Sequence, residues 1–550
     1  MNRRDFHSLL AAGVATSPLA RAQQGASVPA EQSFDFVVYG ATAAGVATAV
    51  AAARQGLSVV LLEPQNHVGG MVTGGLSATD IGRREVIGGF ALEFYLRLGR
   101  RYNLIPHHQV IAWKPEPRVA ESVFHEMLSA ANVKVLYQHR LKEKTGVSLS
   151  GGRIRSIGME NGARFSAPLF ADCTYEGDLI AQAKVSYTLG REGVKQYGES
   201  LAGVRAETPH HQFLVPIKAR KSNGALYPEI GDYPMGTPGE GDRKIQAYNF
   251  RVIATTNPLN RLPWPKPVGY DPARFELLAI NLVNEEKRLG RPLSFNDLGG
   301  IGHIPNQKAD VNNKGGFSSD YIGKNWDYPD GDYATRQRIW DDHILYHQSL
   351  YYFLANDPSV SLALRMDMNN WGLSLDEFED TNYWPNQLYV REARRMVGEF
   401  VVSQKDIQTD VKKADVIGMG SYNSDSHNIQ RIVNAHGFVE NEGDVQVGVT
   451  PYQIPYRVML PKREECANLL APVPFSASHI AFASLRMEPQ WMIIGHAAGV
   501  AASLALKDKK APHEIDVKKL QGILLEQGGV FEYVAPVQNS AISKLQRQIQ

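Results

Sequence analysis

The residues best suited to chemistry begin at Gly40 to Gly45, GATAAG. Gly40 lets the chain leave a strand at a backbone angle other residues avoid. Amides opening a helix are unpaired and lie at its positive end, so Gly40, Ala41, Thr42, Ala43, Ala44 and Gly45 are placed to cradle a pyrophosphate. Glu63, about twenty residues on, suits a ribose hydroxyl pair and would repel a 2′-phosphate. The usual pattern is G-x-G-x-x-G, and Thr42 stands at its middle position. Ala49 is small enough for close helix–strand packing. A second glycine-dense run, Gly69-Gly70-Met71 and Gly74-Gly75, fits a loop pressed against a flat ligand.

Four further groups carry polar chemistry. In Tyr175-Glu176-Gly177-Asp178, Asp178 either accepts from ligand hydroxyls or serves as the acid at a helix start. In LYVREARRMVGEFVV, a helix over 388–402 would put Arg391, Arg394 and Arg395 on one face. That face is either solvated or aimed at a carboxylate or sugar hydroxyls. The glycine- and serine-rich stretch 418–431 reads as a loop holding Tyr422, Asn423, Asp425, His427 and Asn428. A histidine in this company is a candidate base, because its ordinary pKa lies near working pH. Finally, His479 and Arg486 precede a small-residue helix, Trp491 to Leu506, containing Gly495, Gly499 and Val500. Its N-terminus either faces a ligand carrying negative charge or simply packs on the sheet.

These groups need a scaffold. Residues 34–39 read as a buried strand, 46–55 as an Ala-rich helix and 57–62 as a second buried strand, which together make one βαβ unit. Helices are expected at 90–101 and 117–131 and a buried strand at 133–137. The pair Gly151-Gly152 marks an antiparallel hairpin, and 165–174 reads as a strand returning to the main sheet. From 191 to 386 the βαβ pattern gives way to Pro, Gly, Asn, Asp and aromatics, including a helix at 333–355 with Trp340, Ile344 and Tyr351 on one face. This segment reads as an inserted α+β substrate or cap domain. The expected division is 34–190 and 387–510 for the nucleotide-binding domain, with a C-terminal extension at 511–550.

At 550 residues the chain can hold more than one domain. A net charge of +1 gives no electrostatic footprint for nucleic acid. Two cysteines, Cys173 and Cys466, exclude a disulfide scaffold and a cysteine-rich metal site, and no metal is expected. No internal apolar run has the length of a membrane span. Arg3-Arg4, Phe6, a short apolar stretch and small residues at Ala20 and Ala22 read as a twin-arginine export signal over 1–22, followed by a leader over 23–33. The expected destination is the periplasm or the medium.

GATAAGVATA at Gly40, GGMVTGG at Gly69, ADCTYEGDLIAQA at Ala171, VREARRMVGEF at Val390, SYNSDSH at Ser421 and SASHIAFASLRMEPQWMIIGHAAGVAA at Ser476 resemble the FAD-dependent oxidoreductases of glutathione-reductase type. The similarity is strongest to exported members loosely called xanthan-lyase-like. It implies an α/β fold, a discontinuous Rossmann-type FAD-binding domain with the cap inserted. It implies FAD held by Gly40, Gly45, Glu63, Gly70, Gly495 and Gly499. Tyr175 replaces a glycine of the family's pattern, so its phenol is expected to face flavin or substrate. The chemistry implied is hydride transfer from a polyhydroxylated, carbohydrate-like substrate to the flavin, with His427 or His479 as base and Arg395 and Arg486 orienting the substrate or supporting charge. A reductase of an unsaturated carboxylic acid and a non-catalytic flavin binder stay open. No second strand–glycine turn–helix unit is evident, so the expected electron acceptor is oxygen, a quinone or a cytochrome.

Overall fold

The computed structural model describes residues 31–103, 110–409 and 411–535. The expected export signal and most of the leader lie outside the described residues, as does the chain from 536 onward.

Chain order begins β1 (Phe36–Tyr39), α1 (Ala43–Arg54), β2 (Val59–Leu62), α2 (Gly89–Arg101), α3 (Pro117–Ala130), β3 (Lys134–Leu136) and β4 (Leu169–Asp172). It continues through α4 (Asp178–Gln182), α5 (Tyr333–Asn356), β5 (Leu469–Leu470), α6 (His479–Leu485) and α7 (Glu488–Lys507). The five strands form one parallel sheet in the order β5-β4-β1-β2-β3. Alternation along β1 explains its burial on both faces. Phe36 and Val38 join the helix-side core with α1, α3 and α7, whereas Val37 and Tyr39 pack on the opposite layer. That layer is an antiparallel meander of Val147–Leu149, Ile154–Gly158 and Arg164–Ser166. The expected single strand over 165–174 is therefore two, one in each sheet. β3 lies at the sheet edge and is only half-buried, not the buried strand expected.

The segment between β4 and β5 carries a second sheet, antiparallel throughout. Its order is Arg261–Leu262, Gly372–Ser374, Val252–Thr255, Lys308–Val311, Ile301–Ile304. Trp340, Ile344 and Tyr351 share a face of α5, and Tyr351 stacks on Trp264 at 4.7 Å. One apolar core runs from Val38 and Ala47 of the parallel sheet layer to Phe250 and Tyr346 of this segment.

Two expectations fail here. Residues 388–402 do not form a helix: the chain is extended, with only Arg395–Met396 paired as a strand to Tyr187–Thr188. The fully buried arginines at 391 and 395 pair instead with Asp320 and Glu192, carboxylates supplied by other segments of the fold. Residues 418–431 are not a loop either. They form one arm of a long antiparallel ribbon, pairing Val416–Gly420 with Tyr452–Pro455, Ser424–Ser426 with Val445–Val447, and Gln430–Val433 with Val439–Glu442. Tertiary pairing outweighs the local turn preference of glycine and serine.

Candidate functional site

The parallel sheet changes winding direction between β1 and β4, and ligands of such sheets sit outside the carboxyl ends at that point. A cavity of about 530 Å³ opens there. One wall is Tyr39, Gly40, Thr42, Glu63, Gly70, Thr174 and Tyr175; the other is α5 and the segment 381–387.

The first wall fits a dinucleotide. Gly40 has φ +95, and a Cβ there would lie 2.8 Å from the Cys173 carbonyl carbon. A Cβ on Gly45 would meet the Gly40 carbonyl oxygen at 1.9 Å. Both positions therefore require glycine to bring β1, α1 and β4 together. Thr42 is the N-cap of α1: its hydroxyl accepts from the Gly45 amide at 3.2 Å and donates to the Cys173 carbonyl at 2.8 Å. The departure from glycine at this position thus orders the turn. Glu63 accepts from the Ala41 and Gln65 amides, each at 2.8 Å, so its carboxylate is aimed along the turn. Burial pushes it up to about 7. The Gly69 amide donates to the Ala41 carbonyl at 2.7 Å, which lays the second glycine loop beside the first.

Two ionic clasps close the second wall over the first. Arg336 of α5 grips Asp178 with both Nη atoms, at 2.7 and 2.9 Å, and Arg394 adds a third bond at 2.7 Å. Burial pushes Asp178 up, but the two guanidiniums outweigh it and hold it below the usual carboxylate range. Asp178 is thus already committed to arginines. On the other side His67 bridges Glu121 at 3.1 Å and Asp380 at 2.9 Å. Its pKa is raised, chiefly by the hydrogen bond to Glu121, against burial.

From the cavity wall at Gln387 the extended chain leads to a buried polar cluster that begins at Tyr389. At roughly 3.3 Å per residue the two lie about 7 Å apart along the chain. Arg486 donates to Tyr389 Oη at 2.9 Å and to the Asp425 carbonyl at 2.7 Å. The Arg391 guanidinium stacks 4.6 Å from the Tyr389 ring centroid and pairs with Asp320 at 2.9 Å. Arg251 is bidentate on Asp310 at 2.7 and 2.8 Å. His427 Nδ1 lies 2.6 Å from Asp320, while its Nε2 is 3.7 Å from Asp425. Burial pushes Asp320 up, yet Arg391 and His427 hold it well below the ordinary range. With Asp320 accepting from Nδ1–H, Nε2 is the acceptor nitrogen in the neutral form of the ring. Among the described residues, the Nε atoms of Arg391 and Arg486 are buried without a hydrogen-bond partner.

Other expected site residues are placed elsewhere. His479 is locked, with Nδ1 at 2.8 Å from Glu392 and Nε2 at 3.0 Å from Ser426 Oγ. Burial pushes Glu392 up, but His479 and Arg395 bring it down to about 2. Arg395 is fully buried on Glu192 and the carbonyls of Gly190 and Ala477. It braces the chain and does not line the cavity. Gly495, Gly499 and Val500 do not line it either. The two glycines face α1, where a Cβ would meet the carbonyl oxygens of Ala44 and Thr48, each at 2.4 Å. They set the approach of α7 to α1, and the small-residue stripe is explained by helix-on-helix packing. Tyr175 does line the cavity, whereas Met71 is buried behind it, its amide donating to Tyr175 Oη at 2.9 Å.

Asp320, Arg336 and Glu488 escaped sequence reasoning. Asp320 meets His427, and Arg336 meets Asp178, across more than a hundred residues, so no local spacing marks them. Glu488 had a signal: it is the only acid between Glu465 and Asp508, in an otherwise apolar run.

A search of the curated proteins gives no match. Among solved structures, the 3-ketosteroid-delta4-(5alpha)-dehydrogenase from Rhodococcus jostii RHA1 is 15% identical, with a TM-score of 0.21 over 31% of this chain and 59% of that one. The T. acidophilum thioredoxin reductase is 20% identical, TM-score 0.17, over 32% and 40%. NikD, an unusual amino acid oxidase, is 13% identical, TM-score 0.20, over 30% and 57%. The chain thus spans 40% to 59% of the length of these three, and likeness at this level assigns no substrate. The profile described as FAD dependent oxidoreductase matches residues 35–524. A match of that extent, from just before β1 to within the helix Val517–Glu526, means that the chain belongs to the FAD dependent oxidoreductase family.

Proposed function

We propose that the enzyme removes a hydride from a small, uncharged, polyhydroxylated substrate, with His427 as the base. The observation that carries this reading is the Asp320–His427 pair, whose 2.6 Å contact presents Nε2 as a proton acceptor. FAD, held by Gly40, Thr42, Gly45, Glu63 and Gly70, supplies the two-electron acceptor when bound. His427 Nε2 takes the substrate hydroxyl proton, and Asp320, anchored by Arg391, stabilises the resulting imidazolium. The unpaired Nε–H groups of Arg391 and Arg486 orient a neighbouring hydroxyl. Charge balance supports an uncharged substrate: Arg251 and Arg391 are already paired with Asp310 and Asp320, and Asp425 lies 3.7 Å from Arg486. The abundance of Trp, Tyr, Asn and Asp in the segment 191–386 supports a polyhydroxylated substrate, since such side chains suit sugar faces and hydroxyls.

The test is anaerobic mixing with candidate substrates, read by loss of flavin absorbance. Reduction by sugars or polyols supports the proposal. Reoxidation of reduced enzyme by an enoate, with no reduction by any sugar, would establish the unsaturated-acid reductase instead. Neither response would leave a flavin binder without this chemistry. We further infer export by the twin-arginine route from Arg3, Arg4 and Phe6, which places the electron acceptor among oxygen, quinones and periplasmic cytochromes. Replacing Arg3 and Arg4 with lysine should retain the enzyme in the cytoplasm; undisturbed export would refute this.

A further inference from the structure

Glu488, the first residue of α7, is wholly buried. Its Oε1 accepts from Tyr175 Oη at 2.8 Å, and its Oε2 has no partner. The titratable groups facing it are two phenols: Tyr175 from the turn after β4, and Tyr95 from α2, whose hydroxyl is also unpartnered. Among the described residues no arginine, lysine or histidine pairs with it. A carboxyl in such a place holds its proton, since ionisation would leave a charge with neither water nor counter-ion. Burial accordingly pushes Glu488 up to about 8, against the Tyr175 hydrogen bond.

Tyr175 stands between this carboxyl and the cavity it lines. Its oxygen accepts from the Met71 amide while its proton points to Glu488. Gly70 passes so close that a Cβ would lie 2.4 Å from the phenol oxygen. The phenol is therefore fixed on both sides, against the loop that the glycine pair presents to the cofactor.

We propose that Tyr175 and Glu488 form a redox-linked proton site, in which Glu488 binds its proton more tightly once the cofactor carries extra electrons. Glu488 is a positioning residue here, acting through Tyr175. Where Glu488 is ionised before reduction, the electrons come from substrate and one proton comes from solvent by way of the cavity. Tyr175 gives its hydroxyl proton to Glu488 Oε1, forming that O–H bond, and its oxygen takes a replacement proton from cavity water, whose own O–H bond breaks. The hydroxide left is neutralised by a proton from bulk solvent, so the net change is one solvent proton bound at Glu488. The proposal rests on FAD occupying this cavity and is independent of the substrate reading.

Two measurements test it. Infrared spectra of the apoprotein should show a protonated-carboxyl band that fades as pH rises through about 8 and is missing from E488Q. In the holoprotein, the flavin midpoint potential should fall more steeply with pH above that point than below it, by one proton per electron pair. E488Q should give a single slope, and Y175F, which keeps the carboxyl but cuts the path, should lose the break as well. A purely structural Glu488 would leave the slopes of wild type and E488Q parallel, and that result, or a missing carboxyl band, overturns the proposal. If E488Q does not fold, the wild-type and Y175F slopes decide alone. Failure of the apoprotein to take up FAD would instead remove the cofactor assignment while leaving the infrared result intact.

Discussion

Replacing both Gly495 and Gly499 with alanine separates the two roles open to the closing helix. Each new methyl lands 2.4 Å from a carbonyl oxygen of α1, Ala44 for the first and Thr48 for the second. The Ala44 carbonyl is held by the Thr48 hydroxyl at 2.8 Å, and both helices are buried. Neither backbone can yield, so each site falls at the upper end of overpacking, about 3 kcal/mol. Alanine recovers about 1 kcal/mol per site as the better helix former. The pair should therefore lose about 4 kcal/mol. Unfolding entropy over a chain this long is about 1 kcal/mol/K, so the melting midpoint should fall by about 4 °C. The assay is thermal unfolding of the apoprotein, followed by FAD titration of the same sample. FAD affinity should fall too, because α1 carries the pyrophosphate turn at its N-terminus. An unchanged apoprotein midpoint with collapsed FAD affinity would refute the packing argument and return these glycines to the cofactor.

Other outcomes follow from the site. H427Q should slow anaerobic flavin reduction by roughly a hundredfold or more while FAD stays bound, as expected for loss of a general base; unchanged reduction kinetics would remove His427 from the mechanism. Glu63 accepts ribose hydroxyls better when ionised, so FAD affinity should rise as pH climbs through about 7, and E63Q should titrate flat; equal profiles in fluorescence-quenching titrations would count against that role. R336A leaves Asp178 with Arg394 alone, so the cost should fall below the roughly 3–5 kcal/mol of a buried charge left unpaired; stopped-flow should show faster FAD release, and an unaltered rate would mean that the clasp does not gate the cavity. The His67 clasp is a raised histidine, so its contribution is full below about 6.5, the ordinary histidine value, and is lost as pH rises through its elevated pKa. FAD release should quicken over that interval in the wild type but not in H67Q.

Short-range features were legible because their physics is local. The strand, glycine turn, alanine-rich helix and terminal acid at Phe36 to Glu63 lie within one supersecondary unit, so periodicity and turn chemistry suffice to locate them. Tyr175 was marked by the family resemblance, in which it stands where the pattern has a glycine. The arginines at 391–395 were misread because helix periodicity assumes one outer face. In the fold the segment is extended, and the three arginines pair with carboxylates distant in sequence, Asp320, Asp178 and Glu192.

Sequence alone determined the cofactor-binding unit, since a βαβ turn contains its own reasons for folding. Only the tertiary structure decided that His479 is hydrogen-bonded through both ring nitrogens while His427 is hydrogen-bonded through Nδ1, that two glycines meet a neighbouring helix, and that Glu488 lies behind Tyr175. Those outcomes depend on contacts between residues tens to hundreds of positions apart, where burial and charge pairing, rather than spacing along the chain, set what each side chain can do.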